Sequence, residues 1–496
     1  MPHRIFEIDE ILRIIVWHTR DISESTAISF ACCCKTFEEP VLSLLWACKP
    51  LEVLVKLLPP ASTHTPEHTP FRPVRGEWKR FQRYASWIRV LFVNVTEEDL
   101  VQELPPLLDS LLNPSSLVQP TQHATRTILP NVCVLMWTSH LSFLRYLPLF
   151  VSPTLIDFCV RVASCWGAKF TPDDYAPLTR TITSVLLPST LQSFSLHISS
   201  AANPSPELKQ ATAELILRCG PPLARLEVEF ELSESAILHL MSLPNLISWA
   251  AGQPAPTALI SSPLRPAVAF SKVAHFALET TAPRDWLSFL DCFVGGKPNS
   301  SSPTPSARNA VYAPAFGNLT HFDMDTSRRH GCFGSCAFLL ADSDVSFLAD
   351  TFPRLEWLYL GLPCGYNTCQ TTFRSLYTLS TQCLRLQQVC IHLNTTTLIQ
   401  DISSVFEEQK QQSEVDGLNS KRNLRKRRRH PLHLRFAHYL PLELIVDVGD
   451  LEVISKGLFD IFVVFGNVPG LDPNCGFWTK VSQGIKTLQA LESFSV

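Results

Sequence analysis

One pattern constrains the fold of this chain more than any other. A hexamer of the form apolar, x, x, apolar, x, apolar recurs as IRVLFV, VCVLMW, LIDFCV, LQSFSL, LARLEV, VAHFAL, LTHFDM, LEWLYL and LQQVCI. The first residues are Ile88, Val132, Leu155, Leu191, Leu223, Val273, Leu319, Leu355 and Leu386, and LISWA at Leu246 fits in part. A single hexamer of this kind could be any buried strand, but nine in register over about 300 residues make a repeat. Several follow a proline two residues upstream, as in PNV, PTL, PPL and PRL. The intervals, mostly about 23 to 46 residues, leave room for a short strand and a returning segment.

Strand geometry gives the template a meaning. Positions one, four and six point inward, while three, five and seven face solvent on the other side of a short strand. Such strands, stacked edge to edge, form a parallel sheet lining the concave side of an arc, and each repeat buries its core against its neighbours. Segments 205–219 and 343–352 have the helical spacing of returning elements. The fold class is therefore α/β. The pattern resembles a leucine-rich repeat, although only LQQVCIHLN, ending at Asn394, also carries that family's asparagine, so the repeats are degenerate and irregular. The array is expected over 78–405. Inserts interrupt it at 251–269 and 294–314, a strongly charged segment almost free of apolar residues, expected to be disordered, follows at 406–430, and 431–496 closes it.

Ahead of the array lies a different pattern. Ile8, Ile11, Leu12 and Ile15 share one helical face, a second helix is expected from Ser25 to Cys34, and a third from Glu39 to Trp46. These helices make a domain over 1–58, and the Pro-, Thr- and His-rich stretch 59–77 reads as a linker. The order EILRIIV, a break, an apolar helix ending Cys34-Lys35-Thr36-Phe37, and a closing Leu45-Trp46 resembles an F-box. It departs from the family at Glu7 and Ile8, where Leu-Pro is usual, and at Phe37, where tryptophan is usual. With WKRFQRYASWIRVLFV at 78–93, the chain resembles the F-box/leucine-rich-repeat proteins of mushroom-forming fungi.

That resemblance implies a non-catalytic substrate receptor of a Skp–cullin–F-box ubiquitin ligase. The helices would dock on the Skp-type adaptor, and through it on a cullin–RING ligase, and the arc would hold an unknown target protein. The adaptor face it implies comprises Ile8, Ile11, Leu12, Ile15, Phe30, Cys34, Phe37 and Trp46. The alternative is an interaction scaffold whose F-box-like segment does not engage the adaptor.

Nothing in the chain displays an enzyme: there is no glycine-rich phosphate loop, HExxH or GxSxG. No cofactor is expected. The run Cys32-Cys33-Cys34 fans out around a helix and does not suit one zinc ion, so the 16 cysteines read mostly as reduced packing residues. The start lacks a signal-peptide pattern and the longest apolar stretch contains Pro130, Asn131 and His140, so no membrane span is expected, and the location is cytosol, nucleus or both. A net charge of −3 gives no reason to expect nucleic acid. The basic run Lys421, Arg422, Arg425, Lys426, Arg427, Arg428 and Arg429 reads as a nuclear-localisation signal or a solvated loop, and it holds no aromatic residue to stack on bases.

Solvent-facing template positions define a candidate target surface. They supply Glu227 and Glu229 from LARLEVE, His275 and Glu279 from VAHFALE, His321, Asp323 and Asp325 from LTHFDMD, and Trp357 and Tyr359 from LEWLYL. This is an acidic stretch beside two large aromatics, which fits a basic target segment with an apolar anchor.

Overall fold

The structure is a computed structural model describing residues 9–57, 75–95, 108–109, 127–163, 171–184, 186, 188–198, 204–252, 270–279, 286–287, 290, 316–325, 340–360, 370–391, 400–405, 407–408, 411 and 433–436. It divides into two compact units, Met1–Val228 and Glu229–Val496.

The first unit opens with α1 (Asp9–Ile22), α2 (Glu24–Cys33) and α3 (Lys35–Trp46). Their apolar faces converge on a core of Leu12, Val16, Ala27, Phe37, Val41 and Leu45. The helix boundaries differ from those read in the sequence. Ser23, rather than Ser25, caps α2, its hydroxyl accepting the Thr26 N–H at 3.0 Å. Cys34 adopts an extended backbone that ends α2 and starts α3 four residues earlier than the expected Glu39.

The chain then lays down β1 (Cys48–Pro50), α4 (Leu51–Val55), α5 (Arg75–Ala85), β2 (Val90–Val95), β3 (Val134–Ser139), β4 (Asp157–Val162), β5 (Ser193–Ile198) and β6 (Arg225–Val228). The strands pair in parallel, each beside its predecessor. The three-helix segment is thus continuous with the sheet, because β1 follows α3 after a single residue and pairs with β2. Helices α6 (Ala176–Ser184) and α7 (Pro206–Arg218) return between strands, α7 within the expected 205–219.

The second unit holds α8 (Glu234–Ser242), β7 (Ser248–Ala251), β8 (His275–Glu279), β9 (His321–Asp325), α9 (Asp342–Thr351), β10 (Trp357–Leu360), α10 (Phe373–Gln382), β11 (Gln388–Ile391) and β12 (His433–Phe436). These strands too are parallel and in chain order.

Template positions one, four and six are buried in every repeat, from Ile88, Leu91 and Val93 to Leu386, Val389 and Ile391. Leu246, Trp249 and Ala251 are as buried as the rest, so LISWA, continued by Ala251, is a full member. The backbone repeats as well. At position two of most strands, one carbonyl accepts two N–H groups from the next strand. Arg89 O takes those of Cys133 and Val134, and Ala274 O those of Thr320 and His321. This doubled bond fixes the register at the start of those strands. Just upstream, a turn closes with the position-one N–H donating three residues back, as from Val273 to Phe270 and from Leu319 to Phe316. Phe270 and Phe316 hold positive φ angles of 51° and 58°. That conformation is strained for a bulky residue, and burial of two rings stacked 4.8 Å apart offsets it.

Candidate interaction surfaces

Two surfaces follow from this architecture: the outer side of the N-terminal helices, and the uncovered face of the sheet. On the helices, Leu12 and Phe37 turn inward, at 2% and 7% exposure. The sequence reading placed both against an adaptor, but they complete the internal core and have little surface left to offer. Phe30 is half-buried and stacks on Phe37 at 4.3 Å. Cys34 packs at the edge of the same cluster. Trp46 packs on Tyr84 of α5 at 4.5 Å, so it joins α3 to α5. Ile11 and Ile15 are half-buried, and Ile8 lies outside the described residues.

The exposed apolar residues here are ones the sequence reading did not single out: Ile14 at 58%, Trp17 at 53% and Ile28 at 51%. The signal was available, since Leu12 and Val16 mark the inward stripe of α1, and Ile14 and Trp17 fall outside it at helical spacing. Between α1, α3 and Trp87 runs a groove of about 790 Å³, with Leu12, Val16 and Leu44 along it and Arg13, Lys35 and Arg89 as its cations. Arg83 secures its α5 side by reaching Glu38 at 3.2 Å and lying 5.3 Å over the Trp87 ring. Cys34 Sγ lies 3.4 Å from Thr36 Oγ1, and hydrogen bonding from Thr36 holds that thiol below its ordinary range.

On the first unit's sheet, Phe92 and Met136 are register partners at position five, both exposed, and neither was anticipated. Glu227 is engaged: its Oε2 lies 3.2 Å from His197 Nε2 and 3.5 Å from Ser195 Oγ. A serine, a histidine and a carboxylate thus meet, but with the carboxylate between the other two. Nucleophile activation needs the imidazole in the middle. The trio instead ties β5 to β6.

On the second unit's sheet, His275, His321 and Trp357 occupy position three of adjacent strands. Their rings stack in sequence, His275 on His321 at 4.2 Å and His321 on Trp357 at 5.6 Å, each pair 28° from parallel. Trp357 is 46% exposed. Asp323, exposed, and Tyr359, half-buried, form the next row. Glu229 is half-buried, with Gly252 packed against its backbone. Glu279 and Asp325 pair at the strand ends, and their side chains lie outside the described residues, as does the whole basic run 421–430.

One nitrogen of His321 is engaged by its neighbour. Thr320 Oγ1 lies 3.1 Å from Ala274 O and 2.8 Å from His321 Nδ1. Ala274 O already accepts the backbone N–H groups of Thr320 and His321. The Thr320 hydroxyl bridges this carbonyl to the imidazole, which engages Nδ1 and leaves Nε2 as the ring nitrogen turned away from Thr320. Partial burial, reinforced by neighbouring His275 and opposed by Glu356, pushes the His321 pKa below its ordinary value.

Among the described residues, no three potential metal ligands cluster, and no helix is long and apolar enough to cross a membrane. A scan against protein-family models and a search of curated proteins both found no match to this chain.

Proposed function

We propose that the chain is a non-catalytic substrate-recognition subunit of a cullin–RING ubiquitin ligase of the Skp–cullin–F-box type. In this reading the N-terminal helices form an F-box that engages a Skp-type adaptor, and the strand repeats form an irregular leucine-rich-repeat solenoid that holds the target. The observation that carries the adaptor half is the stranding of Ile14, Trp17 and Ile28 outside a core that is already complete. Large apolar side chains exposed together on one small helical unit mark a surface that gains by being covered. Resemblance of 5–46 to the F-box supplies the partner's class, and the parallel array supplies a surface long enough to hold a second protein. Ubiquitin transfer would be the work of the cullin-bound RING and its conjugating enzyme, so no reactive group is required of this chain. Import into the nucleus through 421–429 belongs to the same reading.

Binding of a recombinant Skp-type adaptor to the purified full chain tests it. Ile14→Asp, which alters the surface and leaves the core intact, is the informative variant; Leu12→Asp would unfold the cluster and explain nothing. Capture by the native chain, weakened about tenfold or more by Ile14→Asp with unchanged circular dichroism, supports the ligase subunit. A folded native chain that captures no adaptor overturns it in favour of the scaffold.

A further inference from the structure

The open sheet face of the second unit presents acceptors. His321 turns Nε2 to the open face, because Nδ1 is engaged by Thr320 Oγ1. Asp323 adds an exposed carboxylate one row away. Positions three and five from β7 to β11 are Ser248, Ala250, His275, Ala277, His321, Asp323, Trp357, Tyr359, Gln388 and Cys390, with no lysine or arginine among them. The nearest arginine in this register is Arg435, three strands beyond Asp323, about 14 Å away at the usual strand spacing. A ring row of which one member is a half-exposed tryptophan adds a flat apolar wall. Acceptors beside an aromatic wall suit the guanidinium and aliphatic stem of an arginine.

We propose that the row His275–His321–Trp357, together with Asp323, is the docking face for an arginine-bearing cationic segment of the target protein, and that protonation of the histidine pair releases it. This deepens the substrate-receptor reading and rests on it only for the word target.

The release follows from the geometry. Two imidazoles stacked 4.2 Å apart cannot both take a proton without facing like charge, and each proton removes an acceptor and adds positive charge under a cationic ligand. Among the described residues, the charged and titratable groups around His321 are His275 on β8, Asp323 on β9, and Glu356 and Tyr359 at β10. Glu356 favours protonation of His321, whereas burial and His275 oppose it more strongly. His321 therefore takes up its proton only below the ordinary imidazole range, so the face is neutral-to-acidic at about pH 7.5 and gains positive charge as the pH falls.

Fluorescence anisotropy with two dye-labelled peptides, one alternating arginine with leucine and the other glutamate with leucine, tests this on the full chain. The arginine peptide should bind at about pH 7.5 and low salt, weaken about tenfold by about pH 5.5, and bind far more tightly than the glutamate peptide. Asp323→Asn should weaken it severalfold, and Trp357→Ala should speed its dissociation. In a chain carrying His275→Gln and His321→Gln, the ratio of affinities at the two pH values should fall towards one. Equal binding of both peptides, or an acid response that survives loss of both histidines, overturns the proposal, provided circular dichroism shows each variant folded. Adaptor capture measured on the same preparations separates the two readings. Capture without arginine-peptide binding sinks this inference alone, and arginine-peptide binding without capture sinks the ligase reading alone.

Discussion

Phe30 and Phe37 stack face to face across α2 and α3, their ring centroids 4.3 Å apart and their planes 6° from parallel. The pair spans the boundary of the N-terminal core, for Phe37 is buried while Phe30 is half-exposed. Truncation of each ring should therefore cost unequal amounts. Phe37→Ala should destabilise the first unit by about 3 kcal/mol, and Phe30→Ala by about half of that. Urea denaturation followed by far-ultraviolet circular dichroism reads the difference, and equal losses would place Phe37 at the surface.

Two tryptophans at buried template positions differ in one respect. Trp137 Nε1 donates to Ser139 Oγ at 2.6 Å, whereas Trp249 Nε1 has no hydrogen-bond partner among the described residues. Substitution by phenylalanine removes a made bond at one site and an unmet donor at the other. Trp249→Phe should thus be less destabilising than Trp137→Phe by about 1 kcal/mol in equilibrium denaturation. The reverse order would mean that the Trp249 donor is satisfied in solution.

Stability should depend on pH through His321. Its folded-state pKa is lowered, first by burial and then by His275. Above about pH 6.5 the ring is neutral in both folded and unfolded chains and contributes no pH dependence. As the pH falls through that value, the unfolded chain takes up the proton first, so native stability drops until the folded ring also protonates. His321→Gln should shrink this acid-side loss in thermal melts between about pH 7.5 and 5. Identical pH profiles for both proteins would show that the ring titrates normally.

Thiol reactivity should split by burial. Cys32 and Cys33 are exposed, and Cys34 combines partial exposure with a thiol held low by Thr36. Cys219 is buried and its pKa is pushed up to about 12 by desolvation. With a maleimide at about neutral pH, Cys34 should label in the fastest phase and Cys219 only after unfolding. Cys34→Ser should remove that phase, and mass spectrometry of peptides would reveal any early label on Cys219.

Much of the fold was legible from the sequence because the repeat imposes the same demand ten times. Each strand must bury positions one, four and six, so Phe276, Leu358 and their equivalents could be placed without coordinates. The N-terminal helices were legible as elements, but not the division of labour within them. Several isoleucines and aromatics share α1, and helical spacing alone does not say whether Leu12 or Ile14 meets the core. Packing of α3 against α1 makes that choice. The three cysteines hid a boundary, since Cys34 leaves the helix where its neighbours continue it.

By itself, the sequence determined that parallel strands would repeat, which side chains would line their interior, and that His275, His321 and Trp357 would share a position in the template. The reason is local: strand alternation is fixed by backbone geometry, and burial of apolar surface rewards only one of the two faces. What only the tertiary structure decided is what those solvent-facing residues do to one another. Strand register brings two histidines and a tryptophan into one stack and ties Glu227 to His197. These are contacts between residues tens of positions apart, set by how neighbouring strands align, and no single hexamer carries that information.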